Sequence, residues 1–149
     1  MRFAWPMRPA VLYAEEDPSD ILFMRYAWLK ASMVHPLKVV RDGVDAMHYL
    51  SGMFLYADRR IYPMPCLLLL DVRMPRMSGW DVLRWIRANP IVQRLPVVMM
   101  SSTELAADVD AANRLRPDAY VIKPARLDDW VEVVQMLRDR WLILQEPSC

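Results

Sequence analysis

The sequence predicts a three-layer α/β sandwich in which a five-stranded parallel sheet is covered by five helices. Five short apolar runs, each of four or five residues, are separated by longer segments whose apolar residues recur at helical spacing. Runs that are apolar at every position are typical of parallel strands buried on both faces. Strands that alternate with helices form βαβ units, and right-handed crossovers bring the carboxyl ends of all strands to one edge of the sheet.

Capping residues and turns define the elements in the first part of the chain. Residues 10–14 are predicted as the first strand, and Asp17 as N-cap with Pro18 at the first helical position begins a helix that ends near residue 33. Residues 37–40 are the second strand, and a turn separates them from a helix over about residues 44–53. The first helix is expected to bury four apolar positions: Ile21, Met24, Trp28 and Leu29.

The rest of the chain repeats the alternation three more times. Strands are predicted at residues 66–70, 97–100 and 119–122, and helices at about residues 79–88, 104–115 and 127–144. Asn89-Pro90 ends the third helix, because a residue before proline disfavours the helical conformation. Pro63 and Pro65 break the segment before the third strand, which is therefore predicted to be a loop.

Composition restricts the class of protein. The length of 149 residues suits one domain, which we expect to have an arm at residues 1–9 and a tail at residues 145–149. Nineteen basic and eighteen acidic residues give a net charge of +1, so no overall field attracts nucleic acid. No apolar run reaches the roughly 18 residues of a membrane-spanning helix. The two cysteines give no disulfide pattern, so we expect a cytoplasmic chain.

Polar residues are predicted to meet where four of the strands end. Asp71 follows the apolar run at residues 66–70, and the other strands end in Glu15-Glu16, Ser101 and Lys123. Carboxylates held close together repel each other unless a cation joins them, and Mg²⁺ needs only one or two carboxylates, a backbone carbonyl and waters. A nucleophilic carboxylate, Mg²⁺, a hydroxyl and an ammonium are the groups that acceptance of a phosphoryl group requires.

Each of these residues, taken alone, also has a simpler interpretation. Asp71 is then a cap after a strand, the Glu15-Glu16 pair complements a helix dipole, and Ser101 is a turn residue. Lys123 is harder to explain as a solvated lysine, because a proline follows it and several acids converge on it. Because such polar residues follow four strands that end at the same edge of the sheet, a functional site is the favoured interpretation.

The order of these features resembles the receiver domain of two-component response regulators. The likeness consists of the acid pair, D-x-x-M-P-x-x-x-G beginning at Asp71, the serine after strand four and Lys123-Pro124 after strand five, and it covers about residues 9–144. It implies a flavodoxin-like, CheY-like fold and a single-domain response regulator that takes a phosphoryl group from a histidine kinase. E-x-x-P-x-D after strand one and the loop Tyr-Ala-Asp-Arg are similar to short receivers that serve phytochrome-type kinases.

The resemblance also implies a role for each residue of the site. Asp71 matches the phosphoacceptor, Ser101 the switch hydroxyl, and Lys123 a lysine with a cis peptide bond to the following proline. Tyr120 matches an aromatic residue whose rotamer reports activation. The implied Mg²⁺ ligands are the acid pair, the acceptor and one backbone carbonyl: Glu15, Glu16, Asp71 and Arg73.

Several positions depart from the family pattern, and two other functions stay open. Glu16 stands where Asp is usual in the family. Arg73 stands where Asn is frequent, and its positive charge either weakens the metal site or pairs with Glu16. Ser78 stands where Asp is common, and Arg116-Pro117 replaces Gly-Ala. A pseudo-receiver that takes no phosphate is one alternative. A phosphatase of the haloacid dehalogenase type is the other, but it needs an Asp where Arg73 stands.

The end of the last predicted helix has more apolar surface than one face needs. Trp130, Val134, Leu137 and Trp141 form an ordinary core stripe, whereas the run Trp141-Leu-Ile-Leu144 is apolar all round. An apolar patch of this kind indicates a partner, and two-fold pairing is the commonest solution. Because members of the resembled family pair through the last two helices and the strand between them, we expect a homodimer.

Overall fold

The computed structural model describes residues 8–103 and 105–142, and within them the predicted sandwich is present. Five parallel strands form one sheet in the order β2-β1-β3-β4-β5. The strands are β1 (Val11–Ala14), β2 (Leu37–Val40), β3 (Leu67–Asp71), β4 (Val97–Ser101) and β5 (Ala119–Ile122). Asp71 and Ser101 are thus the last residues of their strands, whereas the sequence placed them just beyond.

Five α-helices connect and follow the strands, in two layers. They are α1 (Pro18–Lys30), α2 (Gly43–Ser51), α3 (Gly79–Ala88), α4 (Ala106–Leu115) and α5 (Leu127–Leu137). A short 3₁₀ helix, Phe54–Ala57, lies in the segment between α2 and β3, and a π-helical turn, Arg138–Leu142, extends α5. None of the described helices combines the length and the apolar composition that a membrane crossing requires.

The central strand β3 supplies side chains to both core layers. Leu68 and Leu70 pack with residues of α2 and α3 on one face of the sheet, and Leu67 and Leu69 pack with residues of α1 and α5 on the other. All four are fully buried. Each buried leucine contributes about 1.5–3 kcal/mol, so β3 is held firmly and Asp71 at its end has a fixed position.

Helix α1 is shorter than predicted, and one of its apolar residues faces solvent. The helix ends at Lys30, because Ser32 adopts a positive φ of 55° soon after the Ala31 cap. Its buried positions include Met24 and Trp28, but Leu29 is 79% exposed. The prediction that Leu29 is buried was therefore wrong. One residue step in a helix turns about 100°, which carries Leu29 away from the face that holds Trp28.

The expectation that Leu142 faces a partner was also wrong. Leu142 is 2% exposed and packs in the core layer that contains Trp130, Val134 and Leu137. A π-helical turn places residues five apart on one face, so Leu142 lies on the same side as Leu137. Trp141 is half-buried against this layer, and Ile143 and Leu144 lie outside the described residues.

Two departures from the family pattern have local structural roles. Ser78 is the N-cap of α3, where its side chain accepts a hydrogen bond from the backbone N–H of Asp81 at 3.2 Å. Arg116 is the C-cap of α4 with a φ of 50°, in the left-handed region that a glycine enters without strain. The chain therefore adopts a glycine-like turn with an arginine.

Candidate functional site

An acidic cleft lies at the carboxyl edge of the sheet, above β1, β3 and β5. The cleft has a volume of about 470 Å³. Five carboxylic acids and two cations line it: Glu15, Glu16, Asp17, Asp20, Asp71, Arg73 and Lys123. The structure thus brings the predicted acid pair, the predicted acceptor and the predicted lysine together, with an excess of negative charge that favours cations.

Lys123 lies at the centre of this charge cluster. Its Nζ is 2.6 Å from Glu15 Oε1, 2.8 Å from Asp20 Oδ2 and 3.0 Å from Asp71 Oδ1, and its side chain is only 9% exposed. Burial lowers the pKa of Lys123, but the hydrogen bonds to Asp20 and Glu15 and the charge of Asp71 outweigh it. The pKa of Lys123 therefore lies above its ordinary value, and the side chain is a fixed positive charge beside Asp71.

Glu15 is buried, and both of its oxygens are engaged. Oε1 accepts hydrogen bonds from Lys123 and from the Tyr13 hydroxyl, and Oε2 accepts from the backbone N–H groups of Glu16 and Asp17. Burial, reinforced by the charge of Asp71, raises the pKa of Glu15 to about 7, although Lys123 opposes the rise. Glu15 therefore serves first to hold Lys123 in place.

Asp71 owes its position to the strand before it and to the glycine eight residues after it. It is 3% exposed, and β3 is paired with β1 on one side and β4 on the other. Gly79 donates its backbone N–H to the Val72 carbonyl at 3.0 Å, and a Cβ at Gly79 would collide with the backbone carbonyl oxygen of Asp71. The motif D-x-x-M-P-x-x-x-G therefore has a steric reason, because only glycine lets α3 begin this close to the Asp71 backbone.

Ser101 and Tyr120 are linked through one backbone carbonyl. The Ser101 hydroxyl donates to the Thr103 carbonyl at 2.9 Å, and the Tyr120 hydroxyl donates to the same oxygen at 3.3 Å. Ser101 is 1% exposed, while the next residue, Ser102, lines the cleft. The predicted hydroxyl is thus at the end of β4 but bonds to its own loop, and the Tyr120 ring stacks on Trp80 with centroids 6.0 Å apart.

Of the two alternatives considered for Arg73, a pair with Glu16 is not the one that the structure shows, because Arg73 pairs with Asp108. Its Nη2 lies 2.8 Å from Oδ2 of Asp108 in α4, and the other oxygen of Asp108 accepts a hydrogen bond from Trp80 Nε1 at 3.1 Å. The Asp108 side chain is 3% exposed, whereas Glu16 is exposed to water. A buried carboxylate is costly unless it is paired, so the guanidinium stabilises Asp108 more than it would a solvated acid.

The peptide bond between Lys123 and Pro124 is trans, so the expectation of a cis bond was wrong. No peptide bond among the described residues is cis. The trans form of a bond to proline is favoured by about 0.5–1 kcal/mol. In this arrangement the Pro124 carbonyl accepts a hydrogen bond from the Trp130 indole at 3.1 Å.

Sequence reasoning missed two acids that the structure places at functional positions. The sequence analysis gave Asp20 no role in the site, yet its carboxylate accepts a hydrogen bond from Lys123 at 2.8 Å. Asp108 carried a usable signal, because it precedes Ala111, Ala112 and Leu115 at helical spacing on the inward face of α4. An acid on an apolar stripe indicates a buried pair.

The donors around the cleft suit a hard cation but do not form a ready-made cage. No group of three or more His, Cys, Asp or Glu side chains in the described ranges is arranged as a metal site. The carboxylates of Glu16 and Asp71 line the cleft, and the nitrogen-bearing side chains there, Arg73 and Lys123, are cations and therefore not metal ligands. Mg²⁺ is bound in this way in proteins, through one or two carboxylates with a carbonyl and waters, so the residues present fit that ion.

Comparisons with known proteins agree with the geometry. The profile of the family described as response regulator receiver domain matches residues 11–135. The response regulator Rcp1 of Synechocystis sp. is 31% identical over 132 residues, which are 89% of this chain and 88% of Rcp1. The matched region therefore contains the whole sheet, the cleft and most of α5.

Solved structures with similar folds include three response regulators. The crystal structure of the phosphorylated cyanobacterial phytochrome response regulator RcpA has a TM-score of 0.83 at 29% identity and covers 93% of this chain and 97% of that chain. RPA3017, a response regulator in red light signaling of R. palustris, has a TM-score of 0.85 at 34% identity and covers 93% and 96%. The Mn²⁺-bound form of Rcp1 has a TM-score of 0.80 at 30% identity and covers 93% and 97%.

Proposed function

Because the chain belongs to the response regulator receiver family of two-component signalling systems, we propose that Asp71 accepts a phosphoryl group from the phosphohistidine of a histidine kinase. The observation that carries the proposal is the Lys123 ammonium 3.0 Å from Asp71 Oδ1, in a cleft of excess negative charge. A buried carboxylate with a fixed cation beside it is suited to nucleophilic attack on phosphorus.

The transfer moves phosphorus from an imidazole nitrogen to an Asp71 oxygen. The O–P bond forms as the N–P bond breaks, and the imidazole leaves with the electron pair of that bond and takes up a proton from water. Lys123 supplies positive charge for the phosphoryl oxygens, and Glu15 and Asp20 keep its ammonium in position. The protein acts as a phosphoacceptor whose chemistry is confined to its own phosphorylation and dephosphorylation.

We also propose that the cleft holds Mg²⁺ through Glu16, Asp71 and the backbone carbonyl of Arg73. A bound Mg²⁺ supplies positive charge that offsets the phosphoryl oxygens. The oxygen donors of the cleft support the assignment, as does the existence of a Mn²⁺-bound form of the similar protein Rcp1. Glu15, implied as a ligand by family position, already engages both oxygens with Lys123 and the backbone, so we assign it to positioning Lys123.

The partner that delivers the phosphoryl group is proposed to be a phytochrome-type histidine kinase in the cytoplasm. The similar proteins RcpA and RPA3017 are described as a phytochrome response regulator and as a regulator in red light signaling. Helix α1, which begins beside the cleft, exposes Leu22, Tyr26 and Leu29 at helical spacing. This apolar stripe suits contact with a kinase helix. Faster transfer from an unrelated histidine kinase than from a phytochrome-type kinase would refute the assignment.

We also propose a homodimer that forms through α4, β5 and α5, and the exposed apolar side chains of these elements support it. Apolar side chains are exposed on each of these elements or at their ends: Leu105, Val109, Ile122 and Leu127. β5 is an edge strand, so nothing in the sheet covers its outer side. Val109→Asp should give a folded monomer in sedimentation, while Leu22→Asp on α1 should leave the dimer intact. A wild-type chain that is monomeric at high micromolar concentration would exclude the dimer.

The proposed function is tested by mass spectrometry after incubation with acetyl phosphate and Mg²⁺. Wild-type protein should gain one phosphoryl group and Asp71→Asn none, because the amide is not a nucleophile for this transfer. Asp81→Asn, an exposed acid on α3, is the matched control and should be modified like the wild type. A wild-type chain that gains no phosphate and binds no beryllofluoride in Mg²⁺ is instead a pseudo-receiver.

A further inference from the structure

We propose that Arg73 exchanges partners during signalling: its guanidinium separates from Asp108 and binds the phosphoryl group on Asp71. This exchange releases α4. The inference rests on the proposed function and identifies how that site acts on a distant helix. It is drawn from two features of this chain: an arginine two residues after the acceptor and a buried acid on α4 that holds it.

The position of Arg73 permits both interactions. The residue lines the same cleft as Asp71, and its side chain is 57% exposed although its guanidinium reaches Asp108. A half-exposed arginine has free space in which to turn, unlike Lys123 at 9% exposure. The movement needed is a rotation of one long side chain about its own bonds, with no rearrangement of the sheet.

Charge favours the exchange once Asp71 is phosphorylated. A phosphoryl group carries about −1.5 to −2 charge and three strong acceptor oxygens, compared with the single charge of the Asp108 carboxylate. Arginine binds phosphate with two parallel hydrogen bonds, which are among the strongest that side chains form. Before phosphorylation no such group competes, so Arg73 remains on Asp108 at 2.8 Å.

The loss of Arg73 has consequences for α4. The Asp108 side chain is 3% exposed, and among the described residues the hydrogen bond from the Trp80 indole is what it keeps without the guanidinium. A buried carboxylate that loses its cation is strongly destabilised, so the first turn of α4 must move to bring Asp108 to water. α4 resists this movement weakly, because its N-cap, Leu105, makes no side-chain capping hydrogen bond.

The same contacts extend the effect to the Ser101 loop. Trp80 Nε1 binds Asp108, and the Trp80 ring lies nearly parallel to Tyr120, with 9° between the planes. Tyr120 shares the Thr103 carbonyl with Ser101. A change at Asp108 therefore alters the indole hydrogen bond of Trp80, which makes Trp80 a direct reporter of the exchange.

The experiment measures the affinity for beryllofluoride in Mg²⁺, which mimics the phosphoryl group, and follows the indole N–H resonance of Trp80 by NMR. Asp108→Asn keeps an acceptor for the indole but removes the charge that retains Arg73, so beryllofluoride should bind about fivefold or more tightly. Arg73→Gln should bind more weakly and should lose the beryllofluoride-induced shift of the Trp80 resonance. Arg76→Gln, in the same loop and paired with Asp42 at 2.7 Å with 56% exposure, is the matched control and should behave like wild type.

The double variant decides the inference. Asp108→Asn should have no effect on beryllofluoride affinity in the Arg73→Gln background, because the two residues act through one another. If Asp108→Asn raised the beryllofluoride affinity equally in the wild-type and Arg73→Gln backgrounds, or in neither, the exchange would be overturned. The proposed function would remain intact. Wild-type protein that binds no beryllofluoride at all would overturn both.

Discussion

The two cations of the cleft hold their acids in different ways. Lys123 is 9% exposed and contacts three carboxylates, which lie just after β1, in α1 and at the end of β3. Arg73 is 57% exposed and contacts one carboxylate on α4. The lysine is fixed by its surroundings and so provides a permanent charge. The arginine is held by a single partner, so a stronger anion can take it. Under the proposed function, the fixed cation suits phosphoryl transfer and the exchangeable cation suits signalling.

The largest effect is expected when the fixed cation is removed. Lys123→Met leaves three carboxylates close together in a mostly buried cluster, and loss of one partner of a buried pair costs about 3 kcal/mol or more. The free energy of unfolding, measured in urea at neutral pH with EDTA, should fall by about that amount. Lys123→Arg, which keeps the charge, is the control and should lose less. Equal stability of Lys123→Met and wild type would show that the cluster is not tightly coupled.

A pH dependence is expected from Glu15, the buried partner of Lys123. Its pKa is about 7 in the folded protein, above the ordinary 4.5 of an unfolded chain. Between these pH values the folded protein retains a proton that the unfolded chain has released, so stability falls as pH rises through this window. The fall should be about 1–3 kcal/mol in metal-free urea titrations.

Glu15→Gln is the variant that isolates this effect. Glutamine does not titrate, so the decline in unfolding free energy between pH 5 and 7 should become smaller. Asp81→Asn, at an exposed acid outside the cluster, should keep the wild-type slope. An unchanged slope in Glu15→Gln would assign the pH dependence to another group.

The smallest effects are expected at the two arginines of the acceptor loop. Arg73→Gln leaves the Asp108 carboxylate with the hydrogen bond that the Trp80 indole donates. Because a movement of α4 can bring Asp108 to water, the cost should be about 1–2 kcal/mol. Arg76→Gln should cost about 0–1 kcal/mol, because Asp42 still caps α2 through the N–H of Asp45 at 2.7 Å. Urea unfolding of both variants compares them directly. Equal costs would mean that the burial of Asp108 does not matter.

Apolar pattern and turn chemistry predicted the fold and most of the site from the sequence. The runs around Leu67–Asp71 and Val97–Ser101 are apolar at almost every position, which indicates strands buried on both faces. The Asp17-Pro18 start of α1 is also present, with the Asp17 side chain accepting from the Ser19 N–H at 2.8 Å. Because parallel strands end at one edge, the meeting of Glu15, Asp71 and Lys123 followed from topology.

Contacts between long side chains were not predictable in the same way. Arg73 lines the same cleft as Glu16 but pairs with Asp108, which is buried, whereas Glu16 is exposed. The π-helical turn that buries Leu142 was not predictable either, because the sequence there also fits an ordinary α-helix. Both outcomes depend on the solvation and packing of a particular place in the fold, which spacing along the chain does not encode.

The absence of a side chain at Gly79 limits the directions in which the molecule can respond. The start of α3 touches the backbone of Asp71, and even one added carbon at Gly79 would overlap the Asp71 carbonyl. α3 thus has no clearance for sliding toward β3. We therefore expect a displacement that follows a reaction at Asp71 to move away from the start of α3 and toward the end of β4, where Ser102 and Thr103 are exposed. The one carbon that Gly79 lacks thereby gives the signal its direction.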